Sequence, residues 1–157
     1  MNSSRHSKIC GDFGEALTLY WLSKNGFECV PVDHTGIDII ARNKKKLMGI
    51  SVKSRTRGKG NECQTLTIKS SDITSADRAC KDFRCVPYFS IVIDAKDSGI
   101  IRVYIISKHL LLKLCRGHKN AYWKMNEAAR AIYTREKIIS FELEADKNSN
   151  WATKQII

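Results

Sequence analysis

The sequence has no apolar run approaching the roughly 18 residues that a membrane-spanning helix needs, and it opens on a polar stretch, Met1 to Lys8, unlike a secretory leader. Both absences lead to the expectation of a cytoplasmic chain with reduced thiols and no membrane partner. Six cysteines are present, at Cys10, Cys29, Cys63, Cys80, Cys85 and Cys115, but no two are spaced as C-x-x-C. That gap argues against a structural zinc site, and Cys115-Arg116-Gly117-His118 is a half-site without a second ligand pair. Internal repeats, low-complexity segments and linkers are also missing. Acidic residues are in short supply: 16 Asp and Glu face 27 Lys and Arg, a net charge of +11. Such a surplus suits a polyanionic partner, of which nucleic acid is the simplest, through phosphate neutralisation and counterion release.

What is present fits one α/β domain. The 157 residues suffice for one sizeable core and fall short of two. We therefore expect a single domain over 1–157 with mobile polar ends near 1–8 and 146–157, although Trp151 argues that part of the tail docks. Phe13, Ala16, Leu17 and Tyr20 recur at helical spacing between Ile9 and Lys24, and Gly26 closes the run. Strands are expected at Phe27 to Val32, Ile37 to Ala41, Leu47 to Lys53 and, briefly, Thr65 to Ile68. Ser70-Ser71-Asp72 opens a helix to Phe83, with Ile73, Ala76, Cys80 and Phe83 inward. Val86 to Asp94 and Ile100 to Ser107 form the strongest strand pair, joined by a glycine-bearing loop. Helices over Lys108 to Leu114 and Asn126 to Lys137 follow, the latter with Ala128, Ala129 and Ile132 inward, and Ile138 to Leu143 can add an edge strand.

One hairpin carries the chemistry. Turning the chain around Asn43 to Lys46 sets Asp38 opposite Ser51, so that Asp38, Ser51 and Lys53 share one face. Ile37, Ile39 and Ala41 then oppose Met48, Ile50 and Val52 on the other. A carboxylate and a lysine on one face of a hairpin can hold a divalent cation beside an ammonium that handles protons or phosphate charge. The plainer alternative is a cross-strand ion pair worth about 0.2–1 kcal/mol.

Glu15 on the first helix, the Gly36-Ile37-Asp38 turn-strand and Ser51-Val52-Lys53 together resemble the PD-(D/E)xK nuclease superfamily, which includes restriction endonucleases and archaeal Holliday-junction resolvases. The resemblance covers residues 8 to 55 by motif, and the strands to about 106 more loosely. It departs at Ser51, where the superfamily places a second acid. It implies a restriction-endonuclease-like mixed sheet of four to five strands flanked by helices, in the order α-β-β-β-α-β-β followed by C-terminal helices. It also implies a Mg²⁺-dependent endonuclease, with Mn²⁺ as substitute, that hydrolyses DNA and can act as a homodimer. Glu15, Asp38, Ser51 and Lys53 become the catalytic candidates.

Metal ligands would come from Asp38, Glu15, the Val52 carbonyl and a replacement for the acid missing at Ser51. Asp77 bordering the second helix's apolar stripe is preferred to Asp72, whose first-turn position capping explains; Glu62 is a third candidate. Lys53 and the basic loop with Arg55, Arg57 and Lys59 are candidate DNA contacts, as is His34, whose safer reading is a solvated loop residue. Nothing in the sequence resembles a separate base-reading element, which favours structure-selective or general cleavage. Two other classes stay open: an inactive nuclease fold that binds DNA, and a basic module that meets an acidic protein.

Overall fold

The computed structural model describes residues 5–57, 65–95, 99–115, 119–134 and 136–144. Helix α1 (His6–Lys24) leads into the strands β1 (Glu28–His34), β2 (Ile37–Arg42) and β3 (Leu47–Arg57). Strand β4 (Thr65–Ile68) then feeds α2 (Ser70–Asp82), and β5 (Val86–Ala95) and β6 (Ile100–Ser107) follow. The chain closes through α3 (Lys108–Leu114), β7 (Ala121–Lys124), α4 (Glu127–Tyr133) and β8 (Ile139–Glu144). Helix α1 starts at His6, so the polar opening is helical from there rather than a tail to residue 8.

Six strands form the main sheet in the order β1-β2-β3-β5-β6-β8, and β4 pairs with β7 in a separate ribbon. The sheet is mixed: β3 and β5 run parallel from Met48↔Val86 to Arg57↔Ala95, and the other neighbours are antiparallel. A parallel pair needs a crossover, which β4 and α2 supply. The expected edge strand exists as β8, so the sheet exceeds the four to five strands anticipated. Strand β7 was not anticipated; its partner β4 lies more than fifty residues upstream and no local turn announces it.

Central strand β5 is buried from Phe89 through Ile93, as a strand covered on both faces must be. Phe89, Ile91 and Ile93 pack with Leu66, Ile68 and Trp123 under α2, α3 and the ribbon. Val92 turns the other way, joining Leu22, Ile39, Ile50 and Val103 under α1. On the first side Trp123 and Tyr133 stack at 3.7 Å, a contact worth about 0.5–1.5 kcal/mol beyond its buried area.

Helix α1 sits differently from its hydropathy pattern. Gly14, Thr18 and Leu22 are its buried residues, whereas Phe13 is 42% and Tyr20 63% exposed. The reason is close approach: a Cβ at Gly14 would collide with the Ser54 side chain, and buried Thr18 meets Ser90 through a 2.8 Å hydroxyl contact. Two further inward stripes differ from expectation. Helix α2 buries Ala76, Ala79 and Cys80 and leaves Phe83 exposed beyond its end. Helix α4 buries Ala129 and Tyr133, while Ile132 is exposed, because Tyr133 must reach Trp123.

Candidate active site

The β2–β3 hairpin closes at the expected turn. Asn43 N–H donates to the Lys46 carbonyl, and the Asn43 side-chain oxygen accepts from the Lys45 and Lys46 amides. The ladder runs from Arg42↔Leu47 to Ile39↔Ile50. At the next position the Asp38 carboxylate accepts the Val52 backbone N–H at 2.6 Å. Val52, expected to offer its carbonyl to a metal, thus meets the carboxylate through its amide. The alternation of faces also breaks here. Ile37 packs with Ala79 and Cys80 below α2, while Ile39 and Ala41 lie on the α1 side, so the shared face anticipated for Ile37 with them is corrected. A register shift in β1 between Pro31 and His34 accompanies the break.

Gly36 makes the bend into β2. Its φ of +109° lies where L side chains are strained, and a Cβ there would run into the backbone of Ser75 and Ala76. The Gly36 turn is therefore pressed against α2, which fixes where Asp38 emerges.

Glu15, half-buried on α1, faces Asp38 across an open cleft of about 480 Å³ that Pro31, Val32, Asp33 and His34 also line. Burial first, then the Asp38 and Asp12 charges, push the Glu15 carboxyl above the ordinary carboxylate range, against the pull of Lys8 and Lys53. Asp38 and Lys53 thus both lie within electrostatic reach of Glu15. A cleft lined by three carboxylates in a protein of net charge +11 is a local inversion of sign.

Lys53 extends from β3 toward α2, where its ammonium lies 3.8 Å from the Asp72 carboxylate. Asp72 also accepts the Lys69 backbone N–H at 3.1 Å, closing a capping box at the start of α2. Ser51, two residues before Lys53 on the same strand, is 2% exposed. Asp77, preferred from sequence as the replacement acid, is drawn away: its carboxylate holds the Lys108 ammonium at 2.7 Å. Asp72 is the acid that meets Lys53, a relationship the sequence could signal only through its place in the cap.

The remaining candidates separate. Arg55 is exposed on β3. Arg57 is buried and donates to the Met125 carbonyl at 2.8 Å, with Glu127 3.6 Å away, so it does not offer its guanidinium to DNA as expected. His34 lies at the cleft and sets its ring edge-on to Phe83 at 5.2 Å. Lys59 and Glu62 lie outside the described residues. Among the described residues no group of three or more His, Cys, Asp or Glu gathers as a metal centre, and no helix is long and apolar enough to cross a membrane.

The sequence matches no model of a known protein family and no curated protein. Among solved structures the chain is similar to Archaeoglobus fulgidus Hjc, a Holliday junction resolvase from an archaeal hyperthermophile. The TM-score is 0.55 at 19% identity, over 78% of this chain and 88% of that one. A bacterial homing endonuclease, I-Ssp6803I, superposes with a TM-score of 0.41 at 11% identity, over 92% of this chain and 83% of that one, a likeness too low to add to the comparison. The mixed sheet and flanking helices, together with the resolvase superposition, identify the fold of this chain as the restriction-endonuclease-like nuclease fold.

Proposed function

We propose that the chain is a divalent-metal-dependent endonuclease that hydrolyses DNA phosphodiester bonds, structure-selectively or without sequence preference. The observation that carries this is the Glu15–Asp38 pair: two carboxylates lining one open cleft, with the Asp38 charge helping to push the Glu15 carboxyl upward and the Lys53 charge opposing it.

The donor set fits Mg²⁺, with Mn²⁺ as substitute. Carboxylate oxygens are hard ligands, and two of them leave most of a Mg²⁺ shell to water, as that ion prefers. Asp38 and Glu15 would hold it, with the Ser51 hydroxyl as a weak neutral neighbour. When bound, the ion supplies charge stabilisation at the phosphate and a water of lowered pKa.

The chain's own residues do the rest. The Val52 N–H fixes the Asp38 carboxylate, so its orientation does not have to be found during turnover. The Lys53 ammonium neutralises charge developing on the phosphate oxygens or orients the attacking water, as the bond to the 3′ oxygen breaks. Asp72 keeps that ammonium on the α2 side of the site. Arg55, exposed just beyond Lys53, would meet the DNA backbone.

One observation favours a second reading. Ser51 is buried and carries no charge, so the site has one acid fewer than the superfamily pattern, as expected of an inactive fold that binds DNA. A panel of labelled four-way junction, flap, linear duplex and single strand, incubated in Mg²⁺, Mn²⁺ and EDTA, separates the two. Products in metal alone support the nuclease. Shifted bands with no product in either metal support the binding protein.

A further inference from the structure

The ribbon β4–β7 presents a face that the site described above does not use. Its inward side chains, Leu66, Ile68, Ala121 and Trp123, join the core. On the outward face Thr67 pairs across the ribbon with Tyr122, and Thr65 with Lys124. Tyr122 is 42% exposed, an aromatic ring on an open polar surface. Beside it runs a groove of about 530 Å³ between α3, β7 and α4, with a mostly apolar floor that includes Leu114, Ala129 and Ile132 and with Lys113, Tyr122 and Lys124 also lining it. No acidic residue lines it among those described.

The ribbon is joined to the candidate active site. Asn120, immediately before β7, accepts the Ser70 N–H at 3.0 Å in the first turn of α2 and donates to the Tyr122 hydroxyl at 3.5 Å. Two residues after Ser70, Asp72 meets Lys53. A path of contacts therefore leads from the Lys53 ammonium along the start of α2 to Tyr122.

We propose that this face binds an unpaired segment of a nucleic acid, with a base stacked on Tyr122 and the backbone phosphates between Lys113 and Lys124. The argument is charge complementarity and shape. Two ammonium groups with no lining carboxylate attract a polyanion, and an exposed ring on a flat ribbon accepts a base face only where the base is free of its own stack. A continuous duplex would bring phosphates to the lysines but leave the ring unused. The proposal rests on the nuclease reading and deepens it: the substrate carries a single-stranded element, as flaps, forks and opened junctions do.

The test is fluorescence anisotropy in EDTA, where nothing is cut, with labelled oligothymidylate and a blunt duplex, on the wild-type chain and on Tyr122→Ala, Tyr122→Trp and Lys113→Glu/Lys124→Glu. Tyr122→Ala is expected to weaken single-strand binding about 5-fold or more while duplex binding changes less than about 2-fold. Tyr122→Trp should keep the affinity and show fluorescence quenched by the single strand. The double lysine variant should lower the salt slope of single-strand binding by about 1.4. Single-strand affinity unchanged in Tyr122→Ala, or equal losses on both ligands, overturns the proposal. The two readings fail separately. Cleavage in Mg²⁺ with Tyr122 indifferent removes only the ribbon surface, whereas Tyr122-dependent binding without cleavage in any metal removes only the nuclease. A wild-type chain that binds neither ligand removes both.

Discussion

The Asp38 carboxylate accepts the Val52 backbone N–H at 2.6 Å, at the point where the β2–β3 ladder gives out after Ile39↔Ile50. A side chain thus takes the place of the next backbone pair. The two strands part around a fixed carboxylate, and the opening faces Glu15 on one side while Lys53 leaves on the other. The consequences reach the pH response, the metal response and the stability of the fold.

Glu15→Gln should abolish most metal-dependent cleavage and, unlike most active-site changes, stabilise the metal-free protein at pH 7. The sign follows from linkage. A carboxyl whose folded-state pKa is raised contributes stability that is complete below its unfolded pKa and lost as pH rises through the folded one. At pH 7 the wild-type chain has lost it, so the variant melts higher. The difference should fade as pH falls through the carboxylate range. Added Mg²⁺ should raise the wild-type Tm more than the variant's. Melting curves between pH 4 and 8 with and without Mg²⁺ read all three.

Asp72→Asn tests whether the Lys53–Asp72 contact positions the ammonium. Asn still accepts the Lys69 N–H, so helix capping and Tm should change little. Losing the charge 3.8 Å from Lys53 should lower kcat about 10-fold with KM near its original value. A parallel loss in Tm and activity would instead mark Asp72 as a purely structural cap.

Gly36→Ala should cost about 1–3 kcal/mol, read as a Tm lower by about 3–10 °C. Both the positive φ and the collision with the α2 backbone act against a side chain there. Gly26→Ala is the internal comparison: its φ of +80° is also strained, but a Cβ would meet open space, so its loss should be smaller.

Glu127 gathers three guanidiniums: it accepts from Arg102 at 2.6 Å and Arg130 at 3.2 Å and lies 3.6 Å from Arg57. Burial opposes its charge, yet the hydrogen bonds from Arg102 and Arg130 hold its carboxyl below the ordinary range. Because Glu127 is 57% exposed and Arg102 keeps Glu142 at 3.1 Å, Glu127→Gln should cost only about 0.5–1 kcal/mol. A depressed carboxyl stabilises above its unfolded pKa and loses that contribution as pH falls through the folded value. The gap between wild type and variant should therefore be full at pH 7 and close in acid.

The hairpin was legible in sequence because its determinants are local: Asn43 caps a turn whose length sets the register of every pair up to Ile39↔Ile50. The docking face of α1 was not. Gly14 and Thr18 carry little hydropathy, and their value is that they let the helix approach Ser54 and Ser90, whereas Phe13 and Tyr20 supply the periodic signal and stay exposed. Glu15 was placed by motif rather than by that stripe. The choice between Asp72 and Asp77 turned on Lys53 and Lys108, partners on other elements that no helical period encodes. Arg57 looked like a surface cation in a basic loop until Glu127, seventy residues later, was folded against it.

The most direct measurement is cleavage and binding of a labelled branched DNA by wild type and Asp38→Asn at equal, saturating protein in Mg²⁺, with EDTA controls. The expected result is metal-dependent product from the wild type, a loss of about 100-fold or more in rate for the variant, and affinities within about 3-fold of each other. Equal cleavage by both proteins, or a variant that fails to cleave only because it no longer binds, would contradict the placement of the reaction at Asp38.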